Sequence, residues 1–269
     1  MLIYIVTNHL KDLYVPAFIL HKHNSNMPLR HYRAEKGNLN EAIRKIKLTL
    51  KWREEFNVEG IKHCFDTEYI KGLSADEQKE LNQLADIIAY ENETGKIYAR
   101  GYDKQGRAIL YLTPGRENSN NELNQMRHLV YHLERAIAAT RSKSGREKVC
   151  IVIGYEGFKL SNAPPISTTK YTLNILQGMY PERMFRAYIC DPPLYFRTFW
   201  GIIRHFIDPC TLDKIAFCAG KEGKALLERD FDTTTTEKQA GGTRNLRRFS
   251  STEFLLETSF DRTFAEDNK

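Results

Sequence analysis

The chain has 269 residues, 41% of them hydrophobic and 28% charged, with a formal net charge of +6. This fits one large domain, or a core with a smaller helical partner, able to bury a sizeable apolar interior. No stretch reaches the ~18 uninterrupted apolar residues of a membrane-spanning helix. The basic residues interleave with acidic ones, which argues against nucleic-acid binding, and a mild positive excess decides little else.

None of the five cysteines lies in a CxxC pair, and the eight histidines show no ligand spacing with them. Buried free thiols in a reducing compartment are expected, and no metal site. The N-terminus is apolar in two short pieces, MLIYIV and LYVPAFIL, without the charged start and cleavage site of a signal peptide. A cytoplasmic protein is the expectation.

Residues 1–26 match no usable pattern and stay an unassigned extension. Leu39, Ala42, Ile43, Ile46 and Leu50 then recur at helical spacing, and Asn38 with Glu41 three residues on is a capping signal. A weaker helical stretch covers 74–90, so 27–90 predicts a small charged helical bundle. KIYAR (96–100) and AILYLT (108–113) read as strands joined by the polar DKQG turn, a hairpin. A long helix follows, with Leu123, Met126, Val130, Leu133 and Ile137 on one face. VCIVI (149–153) is a continuous apolar run, as in a strand covered on both sides. A helix over 169–179, a strand over 187–190, a helix over 194–207 and a strand over 214–218 complete the series. Strands alternating with helices predict an α/β layer fold with a mostly parallel sheet over 91–243. Beyond Gly220 the chain turns polar, and FDTTTTEKQAGGTRNLRRFSS predicts a loop and an extended tail, with 244–269 as the tail proper.

The segment LYFRTFWGIIRHFID stands apart. Tyr195, Phe196, Phe199, Trp200, Ile203 and Phe206 are large and apolar, while Arg197, Gly201, Arg204, His205 and Asp208 gather on one narrow stripe. At about 15 residues it is too short to span a bilayer. Two readings fit: a core helix buried on most sides, or a lid over an apolar cavity whose basic stripe faces anionic headgroups.

Motifs for chemistry are absent. There is no GxGxxG after a strand, no GxxxxGK[ST], no GxSxG and no HExxH. No catalytic residue is assigned and no enzyme is expected, a triad assembled only in space being the remaining alternative.

Five strings, in order, resemble the Sec14-like, or CRAL-TRIO, family. LRHYRAEKGNLNEAI with LKWREEF is similar to its N-terminal helical region, and GYDKQGRAILYL to the hairpin that opens its lipid-binding domain. VIGYEGFKLSNAPP resembles its strand-and-loop, LQGMYPERMFRAYICDPPLYFRTFW its central signature and gate helix, and FIDPCTLDKIAF the gate exit and next strand. The resemblance implies an N-terminal helical bundle packed on an α/β domain with an apolar pocket and a gate helix. It implies a ligand such as phosphatidylinositol, another phospholipid, or a sterol, tocopherol or retinoid. It also implies a monomer that visits membrane surfaces transiently and needs no cofactor besides the bound lipid.

For phosphatidylinositol-binding members, the resemblance carries the headgroup glutamate to Glu182 and the threonine and lysine after the gate to Thr211 and Lys214. Lys214 is expected to share a strand face with Ala216 and Cys218, where it needs an anionic partner or is a solvated strand end. The basic pair of the N-terminal region aligns with Glu35 and Lys36, so an acid replaces the first base. Where phosphatidylcholine binders place a serine stands Lys159, and their next hydroxyl aligns with Ser161. Gly154 replaces an acidic residue at the strand end. The leading expectation is a carrier of one phospholipid. The alternatives are a carrier of a non-phospholipid hydrophobe, and an adaptor with a lost pocket and a docking RNLRRF tail (244–249).

Overall fold

The computed structural model describes residues 26–159 and 163–243. The RNLRRF segment and nearly all of the N-terminal extension lie outside the described residues.

Among the described residues five helices precede the first strand: α1 (Met27–Ala34), α2 (Leu39–Glu55), α3 (Val58–His63), α4 (Thr67–Lys71) and α5 (Ala75–Asn92). Asn38 caps α2 by accepting the Glu41 N–H at 3.1 Å, and Ser74 with Glu77 forms a reciprocal capping box on α5. Strands β1 (Ile97–Tyr102) and β2 (Ala108–Leu112) make the expected antiparallel hairpin. Its turn is set by Asp103, whose Oδ1 accepts the N–H groups of Gln105 and Arg107 at 2.9 and 2.8 Å.

Then come α6 (Glu122–Ser144), β3 (Val149–Gly154), α7 (Ile166–Asn174), β4 (Met184–Cys190), α8 (Phe196–Ile203), α9 (Pro209–Leu212), β5 (Ile215–Cys218) and α10 (Gly220–Asp230). The sheet runs β1-β2-β3-β4-β5, with β2 to β5 parallel. Parallel strands laid down in sequence order, with right-handed crossovers, send every connection over the same face. Leu110, Val149, Ile151 and Ala187 on that face share one core with Leu129 and Leu133 of α6. Val58, Ile61, Leu84 and Ile88 belong to the same core. The helical region is therefore packed on the sheet domain and shares its interior.

The other face receives no crossover and needs separate cover. Leu227 of α10, Phe231 and Ala240 supply it, packing on Ile109, Tyr111, Cys150, Val152 and Tyr188. The polar stretch from Gly220 begins as helix α10, and the expected loop follows it from Phe231 with Thr236 and Glu237 buried. The polar composition misleads because this sheet face carries tyrosines whose hydroxyls need partners. The Glu237 N–H donates to the Tyr111 hydroxyl at 3.3 Å and the Gln239 amide to that of Tyr98 at 3.2 Å.

Smaller differences concern element ends. Leu123, expected on the buried face of α6, is exposed. Strand β4 starts at Met184 instead of residue 187, and α7 starts at Ile166 and passes into a π-helical turn, Ile175–Met179. The gate segment is helical only over Phe196–Ile203, followed by a 3-10 turn, Arg204–Phe206. Pro192 and Pro193 keep its first residues in a turn, where the Phe196 N–H reaches the Pro193 carbonyl at 2.9 Å.

Candidate ligand site

A cavity of about 700 Å³ lies between the crossover face of the sheet and helices α6, α7 and α8. Because strand side chains alternate, every second residue of the strands faces it: Leu112, Ile151, Ile153, Ala187, Ile189 and Ile215. Helix α6 adds Met126, Leu129 and Leu133, and the α7 side adds Leu173 and Leu176. The volume suits a sizeable ligand, and the walls favour an apolar one. The pocket is open, so the lost-pocket alternative does not describe this fold.

Helix α8 is the outer wall. Phe196, Phe199, Trp200, Ile203 and Phe206 all face the cavity. Trp200 also meets Phe217 edge-on at 5.1 Å. Leu194 and Ile202 point outward with Arg197, Arg204 and His205, all exposed. Tyr195 is the exception among the expected gate residues. It does not line the cavity, and its hydroxyl donates to the Phe158 carbonyl at 3.0 Å.

At one end of the cavity a row of charge crosses the starts of three adjacent parallel strands. Lys148, just before β3, lies outside the lining, whereas Glu182, before β4, and Lys214, before β5, line the cavity. The Lys148 ammonium sits 2.6 Å from Glu182 Oε2, and that of Lys214 sits 3.0 Å from Oε1. Partial burial would push the Glu182 carboxyl up, but the hydrogen bonds from Lys148 and Lys214 hold it below the usual carboxylate range. Glu182 adopts a left-handed backbone, φ 58°, in the turn after Pro181, a conformation uncommon outside glycine. Lys214 lines the cavity, while Ala216 and Cys218 pack on the opposite sheet face. The expected shared face is corrected because Lys214 precedes the strand, so strand alternation does not govern it.

Thr211 lines the same end, and its N–H is capped by Asp208 at 2.9 Å. Lys36 is exposed and reaches the lip beside Arg33. Glu35 also lines the lip, its charge answered by Lys45 at 2.9 Å. Lys159 is exposed and not part of the wall, and Ser161 lies outside the described residues. Gly154 has a steric reason: a β-carbon there would come within 2.2 Å of Gln239 Oε1.

Sequence reasoning missed two lysines. Lys148 carries a signal visible once the strand order is known, a charge before each of three neighbouring parallel strands. Lys96 is a buried charge on the cavity wall, ion-paired with Glu91 and with Glu117 at 2.5 Å. No helix among the described residues is long and apolar enough to cross a membrane.

Comparison with known proteins places this geometry. The CRAL/TRIO domain matches residues 92–242. The phosphatidylinositol transfer protein PDR17 of Saccharomyces cerevisiae is 32% identical over 70% of this chain and 51% of its own length. The CRAL-TRIO domain-containing protein C23B6.04c of Schizosaccharomyces pombe is 35% identical over 70% of this chain and 16% of its own. The chain thus spans about half of one relative and a sixth of the other. Among solved structures, the crystal structure of Sfh5 aligns with a TM-score of 0.60 at 16% identity, covering 90% of this chain and 78% of that one. That likeness bears on the fold alone. The chain belongs to the Sec14-like, CRAL/TRIO family.

Proposed function

We propose that this chain holds one phospholipid, with its acyl chains in the cavity and its headgroup against the Lys148–Glu182–Lys214 row, and carries or presents it at membranes. No bond is made or broken in this reading. The observation that carries it is an apolar cavity with a charged row at one end and an aromatic helix as its outer wall. Water penalises an exposed acyl chain by about 0.8 kcal/mol per methylene, so a carrier has to enclose it. At the row, the lysines suit a phosphate and Glu182 suits a hydroxyl-bearing headgroup, and Thr211 and Lys36 line the same cavity. The name of PDR17 supports phosphatidylinositol. The exposed Leu194, Ile202, Arg197 and Arg204 on the outside of α8 suit transient contact of a cytoplasmic protein with an anionic bilayer.

One observation favours a second reading, a non-phospholipid hydrophobe: Glu182 pairs with both row lysines, leaving one net positive charge there, and Lys45 pairs with Glu35. Transfer between vesicles separates the two. Accelerated movement of labelled phosphatidylinositol from donor to acceptor vesicles is the expected result. Movement of a labelled sterol alone would establish the second reading, and movement of neither would overturn both.

A further inference from the structure

The π-helical turn after α7 brings Gln177 against the exit of the gate. Its amide donates from Nε2 to the Phe206 carbonyl at 3.2 Å, and its Oε1 accepts the Asp208 N–H at 2.8 Å. One side chain therefore pairs with the backbone on both sides of Ile207, as a neighbouring strand would. Ile207 is the point where the 3-10 turn gives way to extended chain, φ −103° and ψ 129°, before Asp208 caps α9. Its side chain is buried against the cavity. An amide supplies the donor and the acceptor from one planar group at any pH.

The turn that carries Gln177 is itself anchored. The Tyr180 N–H reaches back to the Ile175 carbonyl at 3.1 Å, the five-residue bond of a π turn. The Tyr180 hydroxyl donates to Glu134 at 2.7 Å, and Glu134 pairs with Arg53 of α2. On the other flank, the Lys170 ammonium lies 4.2 Å from the Phe206 ring centroid. At the other end of the gate the Tyr195 hydroxyl donates to the Phe158 carbonyl, and the two rings stack.

We infer that Gln177 is the latch of the gate: its amide fixes the Phe206–Asp208 exit to the anchored π turn, and release of that pair is the step that lets α8 swing away from the cavity. This rests on the carrier reading for its purpose, but the latch is a property of the backbone and can be read without any lipid. Both peptide groups are near solvent, so water replaces the lost bonds when the latch opens. The latch therefore biases the gate without locking it.

The test is hydrogen exchange on the full chain, comparing wild type with Gln177→Ala and Gln177→Glu, the latter keeping the acceptor and losing the donor. Loss of both bonds predicts exchange about tenfold faster over residues 196–208, on the scale of two modest hydrogen bonds. The sheet core stays unchanged, and Gln177→Glu falls between. Release of pyrene-labelled phosphatidylinositol from preloaded protein to phosphatidylcholine vesicles accelerates in the same order. Unchanged exchange at the Asp208 amide overturns the latch. So does uniform acceleration through the sheet, which would make Gln177 a support of the whole fold. If wild type takes up no labelled lipid while the local exchange effect persists, the latch stands and the phospholipid reading falls.

Discussion

Arg53 and Glu134 meet at 2.6 Å with side chains only 3% and 9% exposed, tying α2 of the helical region to the long helix α6. The same carboxylate accepts from Tyr180, which leads into the Pro181–Glu182 turn at the cavity end. Burial alone would push the Glu134 carboxyl up, but the Arg53 guanidinium, the Lys62 charge and the Tyr180 hydrogen bond together outweigh it and hold it down to about 2. Removing either group breaks this buried pair, while Arg53 keeps Glu59 at 3.2 Å and Glu134 keeps the Tyr180 hydroxyl at 2.7 Å. Arg53→Met or Glu134→Gln is expected to destabilise the fold by about 3–5 kcal/mol, and the paired apolar replacement Arg53→Met/Glu134→Leu by much less. Urea unfolding curves of the three variants check this, and equal losses for single and double changes would refute it.

Acid sensitivity comes from histidines before it comes from carboxylates. Burial pulls His31 down to about 4, and His128 and His132 well below the ordinary histidine range. His128 and His132 both place Nε2 2.9 Å from Asn92 Oδ1, deep in the core. These groups stay neutral in the fold, whereas the unfolded chain protonates them below about pH 6.5. Their contribution is complete above that pH and is lost as pH falls, by up to about 1.4 kcal/mol per unit for each histidine. Glu134 adds its own loss only below about pH 4.3, since its folded value is depressed. Unfolding free energy should therefore drop by roughly 4–6 kcal/mol between about pH 7 and 5. Equal stability at the two pH values would show that these histidines titrate normally.

Gly223 tests the cover on the second sheet face. In an exposed helix interior, Gly→Ala gains up to about 1 kcal/mol. Here a β-carbon would sit 2.5 Å from the Cys218 carbonyl carbon and 2.6 Å from its Cα, both backbone atoms that cannot step aside. Gly223→Ala should lower stability by about 1–3 kcal/mol. Thermal unfolding gives the sign, and a stabilised variant would mean that α10 does not pack this closely on β5.

Much of this fold was legible in residue order. Asn38 and Ser74 announce their helices, Asp103 its hairpin turn, and VCIVI a strand buried on both faces. The second-face cover was not, because Glu237 and Gln239 satisfy tyrosine hydroxyls, beside a buried Thr236, in a run that reads as a solvated loop. At the candidate site, Glu182 and Lys214 were found through family resemblance and do meet. Lys148 was missed because its role depends on strand order, which no local pattern encodes. Gln177 was missed because a π turn has no sequence signature, and without that turn nothing directs its amide at the gate. Lys159, carried over from the same resemblance, stands exposed and outside the cavity lining.

The most direct test is native mass spectrometry, with lipid extraction, on protein purified from cells. The account predicts one phospholipid per chain, phosphatidylinositol among those found, and its selective loss in Lys214→Ala with the fold retained. A protein that emerges empty and stays empty after incubation with phosphatidylinositol and phosphatidylcholine vesicles would contradict it.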